Sequence, residues 1–410
     1  MSDSLVSDSA TSAPSAGKRG NALVQKAISV VSRLRMGRFT VIMPDGGQYE
    51  LSSNSEEGPH AVVRIHRWRA LRRFVTEGDF GFIESYLDGD WDSPDIPHII
   101  ELACLNVDTW DAGAMQNFFH KVKHRIGHLL RRNSKSGARR NIAAHYDLGN
   151  SFYAHWLDPS MTYSSGLFAD RQQSLTDAQT EKYRRMAELL DLKPGHRVLE
   201  VGFGWGGFAE YAAKNYGCHV TGLTLSREQL SYASQRLQKA GLSNHVDFKL
   251  QDYRDATGSF DRIASIEMFE AVGEEHWPRY FAMLRDRLVP GGSAALQIIT
   301  IDESRFDNYR RNPDFIQSYI FPGGMLPTVT ALKEHSVRAR LTLTDTMMFG
   351  HSYAKTLQIW RDRFMSKWGE IAPLGFDERF RRMWELYLAY CEGGFRAKAI
   401  DVGQFKLVRA

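Results

Sequence analysis

The sequence predicts an α/β chain, a mostly parallel sheet with helices on both faces, preceded by a small α+β N-terminal domain. Three observations carry this. From about residue 150, strand-like and helix-like segments alternate, the pattern that builds a parallel sheet. The first of those strands runs straight into a glycine-rich turn and a helix, at 198–207. Residues 21–120 instead mix short β-branched runs, a turn signal and helical spacing. At 410 residues the chain is longer than one hydrophobic core usually serves, so two domains are expected.

In order, residues 1–20 read as a disordered leader, since MSDSLVSDSATSAPSAGKRG has no apolar stretch after a basic start and so is no secretory signal. The accessory domain at 21–120 takes strands at 39–43 and 60–65 around the turn Pro44-Asp45-Gly46-Gly47. Residues 80–91 put Phe82, Ser85, Tyr86 and Gly89 at helical spacing and stop at Gly89-Asp90-Trp91. A basic linker follows at 121–140, with eight Lys or Arg and no acid between Asp111 and Asp147. Such a segment is either a solvated connection or is drawn to an anionic membrane surface, at ~1 kcal/mol per basic residue. Nucleic acid ranks last, because no zinc finger or RNP-like aromatic strand accompanies the cluster. The main domain, 141–410, takes strands at 197–201, 219–223, 246–250, 262–266 and 293–301, with helices at 176–190, 207–215, 227–240 and 277–288.

Composition narrows the classes. The chain is 43% hydrophobic and 24% charged, which is globular, and no apolar run approaches the ~18 residues of a membrane span. Cys104, Cys218 and Cys391 lie far apart without CxxC spacing, so neither a disulfide framework nor a metal site is expected, and a cytoplasmic location fits. The net charge of +4 leaves any anionic partner to a local cluster.

The glycine turn, Glu200-Val201-Gly202-Phe203-Gly204-Trp205-Gly206-Gly207, has the spacing ExGxGxGG and not the GxGxxG of a dinucleotide site. Glycines at a strand's carboxyl end let the backbone approach a ligand, and Glu200 suits one that carries an ammonium group. The second strand ends at Thr224-Leu225-Ser226 with Gln229 one helical turn on, offering hydrogen bonds to a ribose and its surroundings. The third ends at Asp252-Tyr253, a carboxylate for an exocyclic amine and a ring for the base's face. Three loops converging on one nucleoside favour S-adenosylmethionine over a purely structural turn.

With these motifs the chain from about residue 141 resembles the cyclopropane-fatty-acyl-phospholipid synthases and their mycolic-acid-modifying relatives. The matching segments are HYDLGNSFYAHWLDPSMTYSSGLF at 145–168, the glycine turn, VTGLTLSREQL at 220–230, SIEMFEAVG at 265–273, YIFPGGMLP at 319–327 and YLAYCEGGFRAKAIDVGQF at 387–405. The resemblance implies a class I methyltransferase (Rossmann-like) sheet and a transfer of methylene to the cis double bond of an unsaturated phospholipid acyl chain, forming a cyclopropane. It also implies a bound bicarbonate as base. Glu270 and Tyr353 would hold that anion together, with Ile299 offering main chain, while Tyr163 and Ser164 would lie over the cofactor. A peripheral association with the inner membrane surface follows from the substrate, and a homodimer is one arrangement left open.

Two positions depart from the family pattern. Ser165 stands where many members have cysteine, and Gln297 where they have histidine. A hydroxyl can replace a thiol as donor, but an amide cannot relay a proton as imidazole does. Cyclopropane formation is the first expectation; a C-methyltransferase leaving a methyl-branched chain without ring closure is the alternative. Structural readings stand beside the catalytic ones: Glu270 as a helix cap, Tyr353 as core, His145 as a structural histidine, and Cys391 as a buried thiol that the chemistry does not need. Residues 315–326 and the aromatic region of Phe364, Trp368 and Trp384 are candidates for an acyl tunnel or for ordinary core. A catalytically silent lipid-binding protein is the reading from a different class.

Overall fold

The computed structural model describes residues 18–31, 34–54, 57–109, 148–170 and 172–410, and the chain divides into two units, Met1–Phe118 and Phe119–Ala410. The basic linker and the pair His145 and Tyr146 lie outside the described residues.

In the first unit, α1 (Lys18–Val31) begins inside what the sequence reading assigned to the leader. Its Val24, Ala27 and Val31, at helical spacing, are all buried, which accounts for the helix. Strands β1 (Arg38–Ile42), β2 (Gln48–Ser52), β3 (His60–Ile65) and β4 (Trp91–Asp92) form one sheet in the order β2-β1-β3-β4. The turn after β1 pairs it antiparallel with β2, Val41 opposite Tyr49, while β1 and β3 run parallel. Helix α2 (Arg69–Leu87) is broken at Gly78, and α3 (Ile96–Asn106) follows β4. Asn106 ties α3 to the chain entering β1: its carbonyl accepts from Arg35 N and Met36 N, and its amide donates to Met36 O and Leu102 O.

The second unit starts with the short α4 (Asn150–Ala154) and α5 (Leu175–Leu189). Strands β5 (Arg197–Val201), β6 (His219–Thr224), β7 (Val246–Leu250), β8 (Phe260–Ile266) and β9 (Leu288–Ile301) alternate with α6 (Gly207–Tyr216), α7 (Arg227–Lys239) and α8 (Trp277–Arg287). There follow α9 (Glu303–Arg311), α10 (Val329–Arg338), β10 (Leu341–Met348), α11 (Gly350–Ser366), α12 (Trp368–Ile371), α13 (Glu378–Arg396) and β11 (Ile400–Arg409). The seven-stranded sheet has the order β10-β11-β9-β8-β5-β6-β7. β5 to β9 are parallel to their neighbours in that group, and β11 is antiparallel to both β9 and β10.

Both faces of this sheet are covered. Adjacent residues on β5 point to opposite sides, Val198 into a core with Met186, Phe208 and Ala264, and Leu199 into one with Phe281, Leu284 and Leu296. The strand order reverses beside β5, so the carboxyl ends of β5, β6, β8 and β9 open on the crevice where such sheets take ligands.

Candidate active site

The glycine turn leaves β5 with positive φ at Gly202 (83°), Gly204 (54°) and Gly206 (82°), and Gly206 caps α6. At Gly202 a side chain is excluded twice, by φ and because a Cβ would fall 2.8 Å from Met268. A Cβ at Gly204 would meet nothing within 4 Å, so that side of the turn is open. Just before it, Glu200 is buried with Oε2 unpartnered, and burial pushes its carboxyl up to about 8 against the pull of Arg236 and Lys182. An unpartnered buried carboxyl oxygen of this kind is what the ammonium of an amino-acid-like ligand would satisfy. At the next strand end, Ser226 caps α7 by accepting from Gln229 N, and the Thr224 hydroxyl donates to Gln229 Oε1 at 2.8 Å. Leu225 lies between them, half-buried. The unpartnered Glu200 oxygen and the open side of the turn at Gly204 fit a ligand with an amino-acid tail, while Thr224 and Gln229 are paired with each other.

At the third strand end one expectation needs correcting. The Asp252 carboxylate is gripped by Arg254, Nε at 2.8 Å and a terminal nitrogen at 2.6 Å, with both side chains 5% exposed. It is thus already paired instead of waiting for an exocyclic amine. Tyr253 sets its ring edge-on to Tyr280, and burial pushes its phenol up to about 12. The ring is half-buried and packs against the edge of the core.

The centre of the site is a residue the sequence reading passed over. Glu267 follows the last residue of β8 with φ of 50°, and its main-chain N–H is held by Gln297 O at 2.8 Å. Its Oε1 accepts from Ser165 N at 2.8 Å and Gln297 Nε2 at 2.7 Å, and its Oε2 accepts from the Tyr353 hydroxyl at 2.6 Å. Gln404 Nε2 donates to Gln297 Oε1 at 3.0 Å, which fixes the amide with its nitrogen towards Glu267. Burial raises the Glu267 carboxyl above its ordinary value, opposed by the Lys182 charge and by these donors.

Three sequence expectations are therefore revised. Tyr353 partners Glu267 and not Glu270. Ser165 contributes its main-chain N–H, while its hydroxyl turns to Gly166 O at 2.8 Å. Ile299 N donates to Glu270 Oε1 at 2.6 Å, so its main chain serves an acid of the chain itself. Glu270 Oε2 is buried without a partner, and burial, reinforced by the Glu267 charge, pushes Glu270 up to about 8. The pair is divided: one carboxyl surrounded by donors, the other favoured as the neutral acid.

Tyr163 packs against Tyr153, Trp156 and Trp360, and its hydroxyl meets that of Tyr387 at 2.6 Å. Ser164 is held by Lys182 and Gln179. Burial drives the Cys391 thiol far above neutrality, so it is no thiolate nucleophile. Phe364 and Trp384 are buried against Phe152 in a cluster of edge-to-face rings, which is core packing. A signal for Glu267 was present: SIEMFEAVG carries two acids three residues apart directly after an apolar strand, and only the second was weighed.

The family described as "Mycolic acid cyclopropane synthetase" matches residues 133–405. Tuberculostearic acid methyltransferase UfaA1 of Mycobacterium tuberculosis is 41% identical over 354 residues, covering 84% of this chain and 82% of its own. The cyclopropane-fatty-acyl-phospholipid synthase of Escherichia coli strain K12 is 38% identical over 349 residues, covering 84% and 87%. The crystal structure of mycolic acid cyclopropane synthase CmaA1 complexed with SAH and CTAB superposes with a TM-score of 0.63 at 31% identity, covering 66% of this chain and 98% of that one. A strand-end glycine turn directly after the buried Glu200, on a sheet shared with such relatives, places the chain in the cyclopropane-fatty-acid and mycolic-acid methyltransferase family, as an S-adenosylmethionine-dependent enzyme.

Proposed function

We propose that the chain methylates the cis double bond of unsaturated phospholipid acyl chains and leaves a methyl-branched chain, with Glu267 as the base. S-adenosylmethionine, when bound, supplies an electrophilic methyl group. Glu200 and the 202–206 turn would hold it; the alkene takes the methyl as its bond to sulfur breaks, S-adenosylhomocysteine is the leaving group, and the positive charge rests on a neighbouring carbon of the acyl chain. The observation behind the proposal is the donor set of Glu267. Tyr353, which the family resemblance assigns to a bicarbonate, converges instead on a carboxylate of the chain itself, together with the main chain of Ser165 and the amide of Gln297, the two positions that depart from the family pattern. Burial makes that carboxylate more basic than a free one, so a competent base is built in.

Ring and branch differ in whether a hydride shift precedes proton loss. Loss from the new methyl with ring closure gives a cyclopropane; a hydride shift followed by proton loss gives a methyl-branched alkene of the same mass. A free anion can settle against the new methyl, whereas a carboxylate tethered to the end of β8 takes the proton its position allows. Gln297 cannot relay that proton as a histidine would. The similarity to a tuberculostearic acid methyltransferase supports the same choice, and that to a phospholipid synthase keeps ring closure as the second reading.

The test is incubation with vesicles of a dioleoyl phospholipid and S-adenosylmethionine in carbonate-free buffer. A gain of one carbon with a new branch-methyl or exocyclic methylene signal and no cyclopropyl protons, at a rate that added bicarbonate leaves unchanged, supports the proposal. Cyclopropyl signals, or a bicarbonate requirement, overturn it. No helix among the described residues is long and apolar enough to cross a membrane, so the substrate is expected to be met at the bilayer surface, with vesicle binding that weakens as salt rises.

A further inference from the structure

Lys182 on α5 is among the largest side chains that are fully buried, and both acceptors of its ammonium are neutral. Nζ donates to Ser164 Oγ at 2.6 Å and to Gln179 Oε1 at 2.6 Å, while Gln179 Nε2 donates to Ser164 O at 2.9 Å. A lysine and a glutamine one turn apart thus clamp both ends of one serine, and the next residue's N–H is a donor to Glu267. The ammonium also sits 4.8 Å from the centre of the Tyr183 ring. A buried cation without an ion pair is costly unless the surrounding field needs it.

We infer that Lys182 is a positioning residue for Glu267: through Ser164 it fixes the Ser165 N–H on the carboxylate, and its charge keeps that carboxylate ionised among neighbouring acids. This rests on the reading of Glu267 as the base. The groups acting on Lys182 agree with it. Burial pushes the ammonium down to about 7, and the carboxylates of Glu267, Asp158 and Glu200 pull it back up, Glu267 most of the three. On the other side, the Lys182 charge is the strongest influence opposing the effect of burial on Glu267. Glu270, which the Glu267 charge pushes up, is the remaining titratable group of the cluster.

The experiment is the pH profile of kcat for the whole chain on dioleoyl vesicles. Without the cation Glu267 ionises at higher pH, so Lys182→Met should move the acid limb upward by about one unit. It should lower kcat at pH 7 by at least tenfold and leave the KM for S-adenosylmethionine within threefold. Gln179→Glu offsets the ammonium's charge with a carboxylate beside it, takes away the Nε2 donor to Ser164 O, and should move the limb the same way; it decides the matter if Lys182→Met does not accumulate. The double variant Lys182→Met/Glu267→Gln should be no slower than Glu267→Gln alone. An unmoved limb in both single variants, or additive losses in the double, overturns the role of Lys182. An active Glu267→Gln enzyme would instead overturn the base assignment beneath it.

Discussion

The Tyr353 hydroxyl donates to Glu267 at 2.6 Å, and the neighbouring acid Glu270 receives only main-chain N–H. Two carboxyls three residues apart are thereby set to different protonation states by the elements they face. Glu267 meets the 165 segment, β9 and α11, each bringing a donor. Glu270, in the following 3-10 turn, meets Ile299 N and a dry wall.

Replacing Glu267 by Gln keeps the volume and removes the base. Turnover should fall by roughly 10² to 10⁴, the usual contribution of a positioned general base, while S-adenosylmethionine affinity stays within a few-fold. Single-turnover assays with ligand binding by calorimetry check this. Added bicarbonate should not restore the rate.

Tyr353→Phe removes one donor to a buried charge, an interaction of about 1.5–3 kcal/mol. Turnover should fall tenfold or more. With one fewer donor the carboxylate is harder to ionise, so the acid limb of the kcat profile should move to higher pH. A Tyr353→Phe enzyme with an unchanged profile would return the phenol to a packing role.

Most of the parallel half of the sheet was legible in the sequence because its strands are short apolar runs beside helices of clear period. The strand at 197–201 and the one at 246–250 match the expected residues. The antiparallel β10 and β11 were not read: LTLTDTMM and IDVGQFKLVR carry polar residues that sit at a sheet edge or, like Gln404, serve the site. The strand Gln48–Ser52 was hidden because it alternates partly buried and exposed residues at an edge, with no continuous apolar run. The site was half legible. Its residue types were recoverable from motifs, but the pairing of Tyr353 with Glu267 depends on α11 reaching across 86 positions of sequence, which no local pattern encodes.

Cofactor binding should release a proton through Glu200. In the free protein its carboxyl titrates near 8 and is mostly protonated at pH 7. An ammonium placed beside it favours the ionised form, so its proton leaves on binding. Calorimetric titration at pH 7 in buffers of different ionisation enthalpy should show release approaching one proton more than the Glu200→Gln variant shows. Equal values for the two proteins would remove Glu200 from the ammonium site.

Glu270 links stability to pH with a definite sign. Its folded-state value of about 8 lies above the ordinary 4.5, so the folded chain holds the proton more tightly than the unfolded one. The stabilisation is full below about 4.5 and is lost as pH rises towards 8, with no further change from this group above that. Glu270→Gln mimics the neutral acid at every pH and has no proton to lose. Its Tm should therefore fall less than that of the unaltered chain between pH 5 and pH 9, the two curves diverging most at the alkaline end. Thermal unfolding across that range is the measurement. Parallel curves would mean that Glu270 is ionised in the folded protein, and the division of labour between the two carboxyls would then have to be abandoned.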